Sequence, residues 1–138
     1  MSEPRATPFR WPVRVYWEDT DAGGVVYHAG YLRFMERARS EWMRALGVDQ
    51  IAFKRATGLA FMVRDMQIDF LKPALLDDEL AVTVEVKARR AASILFAQTI
   101  TNADGCCLIR ASVRVACVDL ERMRPALIPS DLIPQPAS

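Results

Sequence analysis

Residues 18–47 read EDTDAGGVVYHAGYLRFMERARSEWMRALG, and the hydrophobic period changes inside them. Before this stretch Phe9, Trp11, Val13, Val15 and Trp17 alternate with Arg10, Arg14 and Glu18, the period of two expected of a strand. Pro12 lacks an N–H, which puts that strand at a sheet edge. After the loop, Tyr31, Met35, Ala38, Trp42 and Ala45/Leu46 recur at helical spacing, with Arg33, Arg37, Glu41 and Arg44 elsewhere around the axis. Sixteen such residues make a helix of about 24 Å, and Gly47 is placed to stop it. A strand thus feeds one long helix through an acidic, glycine-rich loop that carries the chain's single histidine.

Downstream, a short helix is expected over Asp49–Arg55, ended near Gly58, and then the pattern is strand-like. Over Met62–Phe70 the apolar face reads Met62, Met66, Ile68 and Phe70, broken by Arg64. Leu80, Val82, Val84, Val86 and Ala88 alternate cleanly, and Ala92–Thr101 carries Ile94, Phe96 and Ile100 on one side. Asn102-Ala-Asp-Gly105 is hairpin-turn chemistry. Cys107, Ile109, Ala111, Val113, Val115 and Cys117 form a further one-sided strand, and the proline-rich segment from Leu120 is expected to trail over the surface. One helix cannot cover two sheet faces, so the expected class is α+β, a curved antiparallel sheet wrapped around that helix. A sheet covered on one face by its own helix also invites a second copy.

The 138 residues suit a single domain, 1–138, with 1–8 and 130–138 loosely ordered. A net charge of +1 gives no field aimed at nucleic acid. Three cysteines, two of them adjacent, with no CxxC pair and one histidine favour neither a disulfide framework nor a metal site, and fit a reducing cytoplasm. The start, MSEPRATPFRWP, lacks the apolar run of a signal peptide, and no apolar stretch reaches the ~20 residues needed to span a bilayer. The expectation is a soluble cytoplasmic protein, not integral to a membrane.

Hydrolytic machinery built on a serine elbow is missing: there is no GxSxG, and no P-loop or GxGxxG either. What remains is the loop. Asp21 precedes Gly23 and Gly24, which let the chain turn sharply. The loop runs into a helix N-terminus, whose free N–H groups and dipole suit an oxyanion. A carboxylate folded back across that terminus can attack a thioester or take a proton from water. Taken alone, Asp-Thr-Asp-Ala-Gly-Gly is also ordinary turn material: Asp19 suits a backbone cap, His28 a capping or packing role, and Tyr16 and Trp17 a core or interface. Arg89–Arg90 reads as a solvated charge pair or as a ligand site, and the cysteines as small strand residues.

The stretch VRVYWEDTDAGGVVYHAGYLRFMERARSEWM, with FRWP just before it, closely resembles the start of the Tol-Pal-associated YbgC-type acyl-CoA thioesterases, a branch of the 4-hydroxybenzoyl-CoA thioesterase family of hotdog proteins. The likeness continues through FLKPALLDDEL, Arg89–Arg90, ACVDL and MRPALIP. It implies a hotdog fold, a homodimer or homotetramer with active sites between subunits, and hydrolysis of an acyl-CoA or acyl carrier protein thioester. It implies Asp21 as catalytic carboxylate, nucleophile or general base, and His28 as the position whose amide polarises the thioester carbonyl and whose side chain assists. The family's accompanying tyrosine falls on Trp17, which has no hydroxyl, while Tyr16 and Tyr27 lie nearby. Substrate contacts fall on Trp17 and Tyr27, and nucleotide phosphates on Arg89, Arg90 and Arg124. No metal or organic cofactor is implied. Two rivals stand beside this: a hotdog dehydratase or hydratase, which sets its aspartate and histidine closer than the seven positions between Asp21 and His28, and a non-enzymatic acyl-binding scaffold of lipid metabolism.

Overall fold

The computed structural model describes residues 8–133. Its elements run β1 (Phe9–Arg14), a 3₁₀ turn (Trp17–Asp19), α1 (His28–Ala45), α2 (Gln50–Thr57), β2 (Leu59–Phe70), β3 (Glu79–Arg89), β4 (Ser93–Thr101), β5 (Cys107–Asp119) and β6 (Arg124–Pro125). The strands form one antiparallel sheet in the order β1-β3-β4-β5-β2, with β6 added on β5. β1 is terminal, which gives Pro12 the edge it needs. Register shifts at Val63/Asp65, Val86/Ala88 and Ile100/Thr101 bend the strands, and the sheet curls around α1.

The inner face is the alternation legible in the sequence. Leu80, Val82, Val84, Ile94, Phe96, Ile100, Ile109, Val113 and Cys117 are buried against Phe34, Met35, Ala38 and Trp42 of α1. Trp42 meets Phe96 edge-on at 5.2 Å, joining helix to sheet centre. α1 begins at His28, three residues before the first apolar repeat position, Tyr31. Gly47 takes φ +87 just past its end, and α2 is capped by the Asp49 carboxylate on the amides of Ile51 and Ala52 and closed by Gly58 at φ +73.

Several expectations are corrected. β1 stops at Arg14, so Trp17 does not extend the strand; it sits in the 3₁₀ turn, 75% exposed, with Tyr16 exposed beside it. Met62 is not on the inner face. Phe61 and Val63 oppose buried Cys117 and Val115, whereas Met66, Ile68 and Phe70 oppose Val113, Ala111 and Ile109, so the bulge at Arg64 switches the inward parity from odd to even. The segment after Leu120 does not simply trail: β6 pairs with β5, and Ile128 and Ile133 are buried in the core. The looseness expected of residues 1–8 and 130–138 falls largely outside the described residues, and within them Ile133 is only 1% exposed.

Candidate active site

Two aspartates two positions apart have been given opposite surroundings. Asp19 is buried: its Oδ2 accepts the Tyr16 N–H at 2.9 Å, and its Oδ1 lies 3.5 Å from Arg33 Nη2. That carboxylate is the structural cap. Asp21 is exposed; its Oδ1 accepts the Gly23 N–H at 2.8 Å and, more weakly, that of Val25 at 3.4 Å. Among the described residues no hydrogen bond engages Oδ2. One oxygen closes the turn and the other remains open.

The turn is held from outside. Asp21 N–H donates to Val25 O and Gly24 N–H to Asp21 O, with Gly24 at φ +79. Val26 N–H donates to Ala74 O, Leu76 N–H to Gly24 O, and Val25 bridges Leu75. Ala74 N–H in turn donates to the buried Tyr31 hydroxyl at 2.9 Å. Burial pushes the Tyr31 hydroxyl pKa above its ordinary value, the Ala74 N–H pulls it back, and Asp78 adds to the rise. Gly30 allows a close approach: a Cβ there would meet Val26 Cγ1 at 2.8 Å, so a side chain at this point would have to displace buried Val26.

Asp21, Tyr27, His28, Tyr31, Phe70 and Lys72 line one cavity of about 400 Å³. His28 is the first residue of α1, so its amide is one of the four without an intrahelical acceptor. Its ring packs on Phe70, centroids 4.5 Å apart. Tyr27 caps the helix with its backbone and carries the Arg33 guanidinium 5.2 Å above its ring. The arrangement sets an open carboxylate oxygen and positively polarised amides around one space, which is what attack on a carbonyl needs. Among the described residues no group of three His, Cys, Asp or Glu side chains is arranged to hold a metal ion.

The remaining candidates lie elsewhere. Trp17 does not line this cavity. Arg89 Nε donates to Ile133 O at 2.9 Å and Nη2 to Pro129 O at 3.0 Å, so its guanidinium ties down the C-terminal segment. Arg90 and Arg124 are exposed at the same end of the sheet, where β2 begins at Leu59 opposite Asp119. The cavity is at the other end of β2, about 36 Å away along the strand. Within one protomer, carboxylate and arginines are not brought together. Sequence reasoning also missed Phe70 and Lys72 as neighbours of His28; nothing in the local pattern ties the end of β2 to the start of α1.

The sequence model of the Thioesterase-like superfamily matches residues 15–135, nearly the whole chain. This chain belongs to that superfamily. Within the thioesterase-like superfamily it is 48% identical over 127 residues to an Acyl-CoA thioester hydrolase YbgC of Escherichia coli O6:H1, covering 92% of this chain and 94% of that one. It is 34% identical to a 1,4-dihydroxy-2-naphthoyl-CoA hydrolase of Thermosynechococcus vestitus, covering 91% and 87%. A probable thioesterase from Bartonella henselae superposes with a TM-score of 0.83 at 34% identity, covering 89% of this chain and all of that one. The curled sheet around α1 is thus the hotdog fold of these thioesterases.

Proposed function

We propose that this protein hydrolyses acyl-CoA thioesters to a free acid and coenzyme A. The observation that carries the reading is the divided state of Asp21, with Oδ1 committed to the turn and Oδ2 open in the cavity that His28 lines at the start of α1. The thioester carbonyl would sit with its oxygen on the first amides of α1, the His28 N–H foremost. Asp21 Oδ2 then adds to the carbonyl carbon and the thiolate leaves, giving a mixed anhydride that water opens; or Asp21 takes a proton from water that adds directly. Either way the carbonyl oxygen gains charge that the helix terminus offsets. The His28 side chain, braced on Phe70, orients water or the departing thiolate, and Tyr27 borders the substrate. Protein groups suffice, without a metal or organic cofactor.

The working unit is a homodimer, alone or doubled to a homotetramer. β2 is a twelve-residue strand with Met62, Val63 and Phe70 exposed, and among the described residues no strand pairs with its outer edge. Two β2 edges paired antiparallel about a two-fold would run in opposite directions, so the partner's Leu59 end would lie beside this protomer's Phe70 end. The arginines that lie too far from Asp21 in one chain would then be supplied by the other, with Arg90 and Arg124 on the nucleotide phosphates. Arg89 would act there through the segment it holds.

The same chemistry extends to acyl carrier protein thioesters, and a cytoplasmic setting accords with three free cysteines. No described helix is long and apolar enough to cross a membrane. Thiol release from a panel of short, long and aromatic acyl-CoAs tests the reading. Turnover of at least one class is expected; none with any coenzyme A or carrier-protein thioester would overturn it.

A further inference from the structure

Arg39 is a buried cation that makes no ion pair among the described residues. It is 8% exposed, on the face of α1 turned toward β2 and β4. Among the described residues its one hydrogen bond runs from Nη1 to Gln98 Oε1 at 2.9 Å. Gln98, fully buried on β4, spends its own N–H groups on the carbonyls of Met35 and Thr83. Among the described residues no carboxylate lies within ion-pair distance of Arg39. Desolvation lowers its pKa and exposed Glu36 offsets only part of that. A guanidinium so placed has donors to spare, and among the described residues only Glu36 offsets part of its desolvation.

Those donors border space. Arg39 lines a cavity of about 290 Å³ with Leu32, Met66, Phe96 and Val115. This cavity and the one beside Asp21 share no lining residue, but both lie along α1 and β2. On the helix, Leu32 is one turn beyond His28; on the strand, Met66 and Ile68 face the same way as Phe70. His28 and Arg39 are three turns apart, about 16 Å, and the arginine side chain leans back toward the helix N-terminus. An extended acyl group of about six to eight carbons spans what remains. The cavity lining is mixed, with Met66, Phe96 and Val115 beside the polar side chains of Arg33, Glu36, Ser40 and Gln50, and the Arg39 fork among them.

Resting on the thioesterase reading, we propose that this cavity is an acyl subsite for a chain ending in a carboxylate, so that mono-CoA thioesters of dicarboxylic acids are preferred over plain chains of equal length. The guanidinium fork matches a carboxylate with two parallel hydrogen bonds, and the carboxylate supplies the missing counter-charge.

Matched pairs test this: hexanoyl-CoA against adipoyl-CoA, and octanoyl-CoA against suberoyl-CoA. The wild type is expected to favour the carboxylated member of a pair by at least about tenfold in kcat/KM. Arg39→Met is expected to abolish that preference, and Arg39→Lys, which keeps the charge without the fork, to keep part of it. The Lys variant and the wild-type ratio carry the comparison should the Met variant fail to fold. A wild type that prefers the plain chain, or a ratio that Arg39→Met leaves untouched, would overturn the subsite while thioester hydrolysis stood. Should neither member be hydrolysed, calorimetry with their thioether analogues reads the subsite separately: tighter binding of the carboxylated analogue supports it, and equal binding overturns it.

Discussion

Tyr31 and Ala74, 43 positions apart in sequence, are joined by a single hydrogen bond from the Ala74 N–H to the phenol oxygen at 2.9 Å. The segment it anchors receives Val26 and Gly24 of the loop, so one side chain of α1 fixes the floor on which the Asp21 turn is built. Tyr31→Phe leaves the Ala74 amide unsatisfied and is expected to cost about 1–3 kcal/mol and to lower kcat more than it raises KM. The alkaline limb carries a second readout. Burial raises the Tyr31 pKa, so the unfolded chain deprotonates first; this stability is complete below about pH 10 and is lost as pH rises through the folded value. Buried Cys117, raised likewise, acts with the same sign in both proteins. Melting curves from pH 8 to pH 11 should fall more steeply for wild type than for Tyr31→Phe; parallel curves would contradict the assignment.

Asp19 holds structure, while Asp21 is the carboxylate proposed to act on the thioester. Asp19→Ala removes the acceptor of the Tyr16 N–H and the partner of Arg33, and should destabilise the fold by about 1–3 kcal/mol in chemical denaturation. Any activity lost should follow the loss of folded protein. An Asp19→Ala enzyme that is fully folded but inactive would move the catalytic role off Asp21.

The two adjacent arginines divide in the same manner. Arg89→Ala frees the carbonyls of Pro129 and Ile133 and loosens a segment whose Ile128 and Ile133 are core residues. It should lower the melting temperature by several degrees, as about 1–2 kcal/mol would in a domain of this size. Arg90→Ala touches no such contact and should raise KM for coenzyme A thioesters with the melting temperature held. Thermal melts beside steady-state kinetics separate the two.

A mixture of two impaired proteins, assayed at acyl-CoA far below the KM of the arginine variant, tests whether the arginines serve the partner. Asp21→Asn protomers keep their arginines, and Arg90→Ala/Arg124→Ala protomers keep their Asp21. Where each site draws on both chains, a mixed dimer holds one intact site, so refolding the two together at equal amounts should restore about a quarter of wild-type activity. No recovery with mixed dimers verified by mass would place carboxylate and arginines in separate, one-chain roles.

The long-range order was legible wherever one face of an element alternated without interruption, as in Leu80–Val84 and Ile109–Cys117. The sharp turn ahead of α1 was legible in Gly23 and Gly24, whereas a catalytic role for Asp21 came only from the family resemblance, since Asp-Thr-Asp-Ala-Gly-Gly alone is ordinary turn material. Three features were not. The bulge at Arg64 inverts inward parity without a glycine or proline to announce it, so Met62 and Phe61 exchanged faces. The C-terminal segment owes its packing to Arg89, a contact 40 and 44 positions long. Arg39 and Gln98 interrupt otherwise apolar faces, and each is explicable only once the other is seen across the core.

Thiol release by the wild type beside Asp21→Asn, on whichever acyl-CoA the wild type turns over best, tests the central claim most directly. The substitution keeps an oxygen for the Gly23 amide and removes the charge, so the fold and the binding of substrate should hold while kcat falls at least ~100-fold. Full activity in Asp21→Asn would reduce Asp21 to a turn residue and contradict the account.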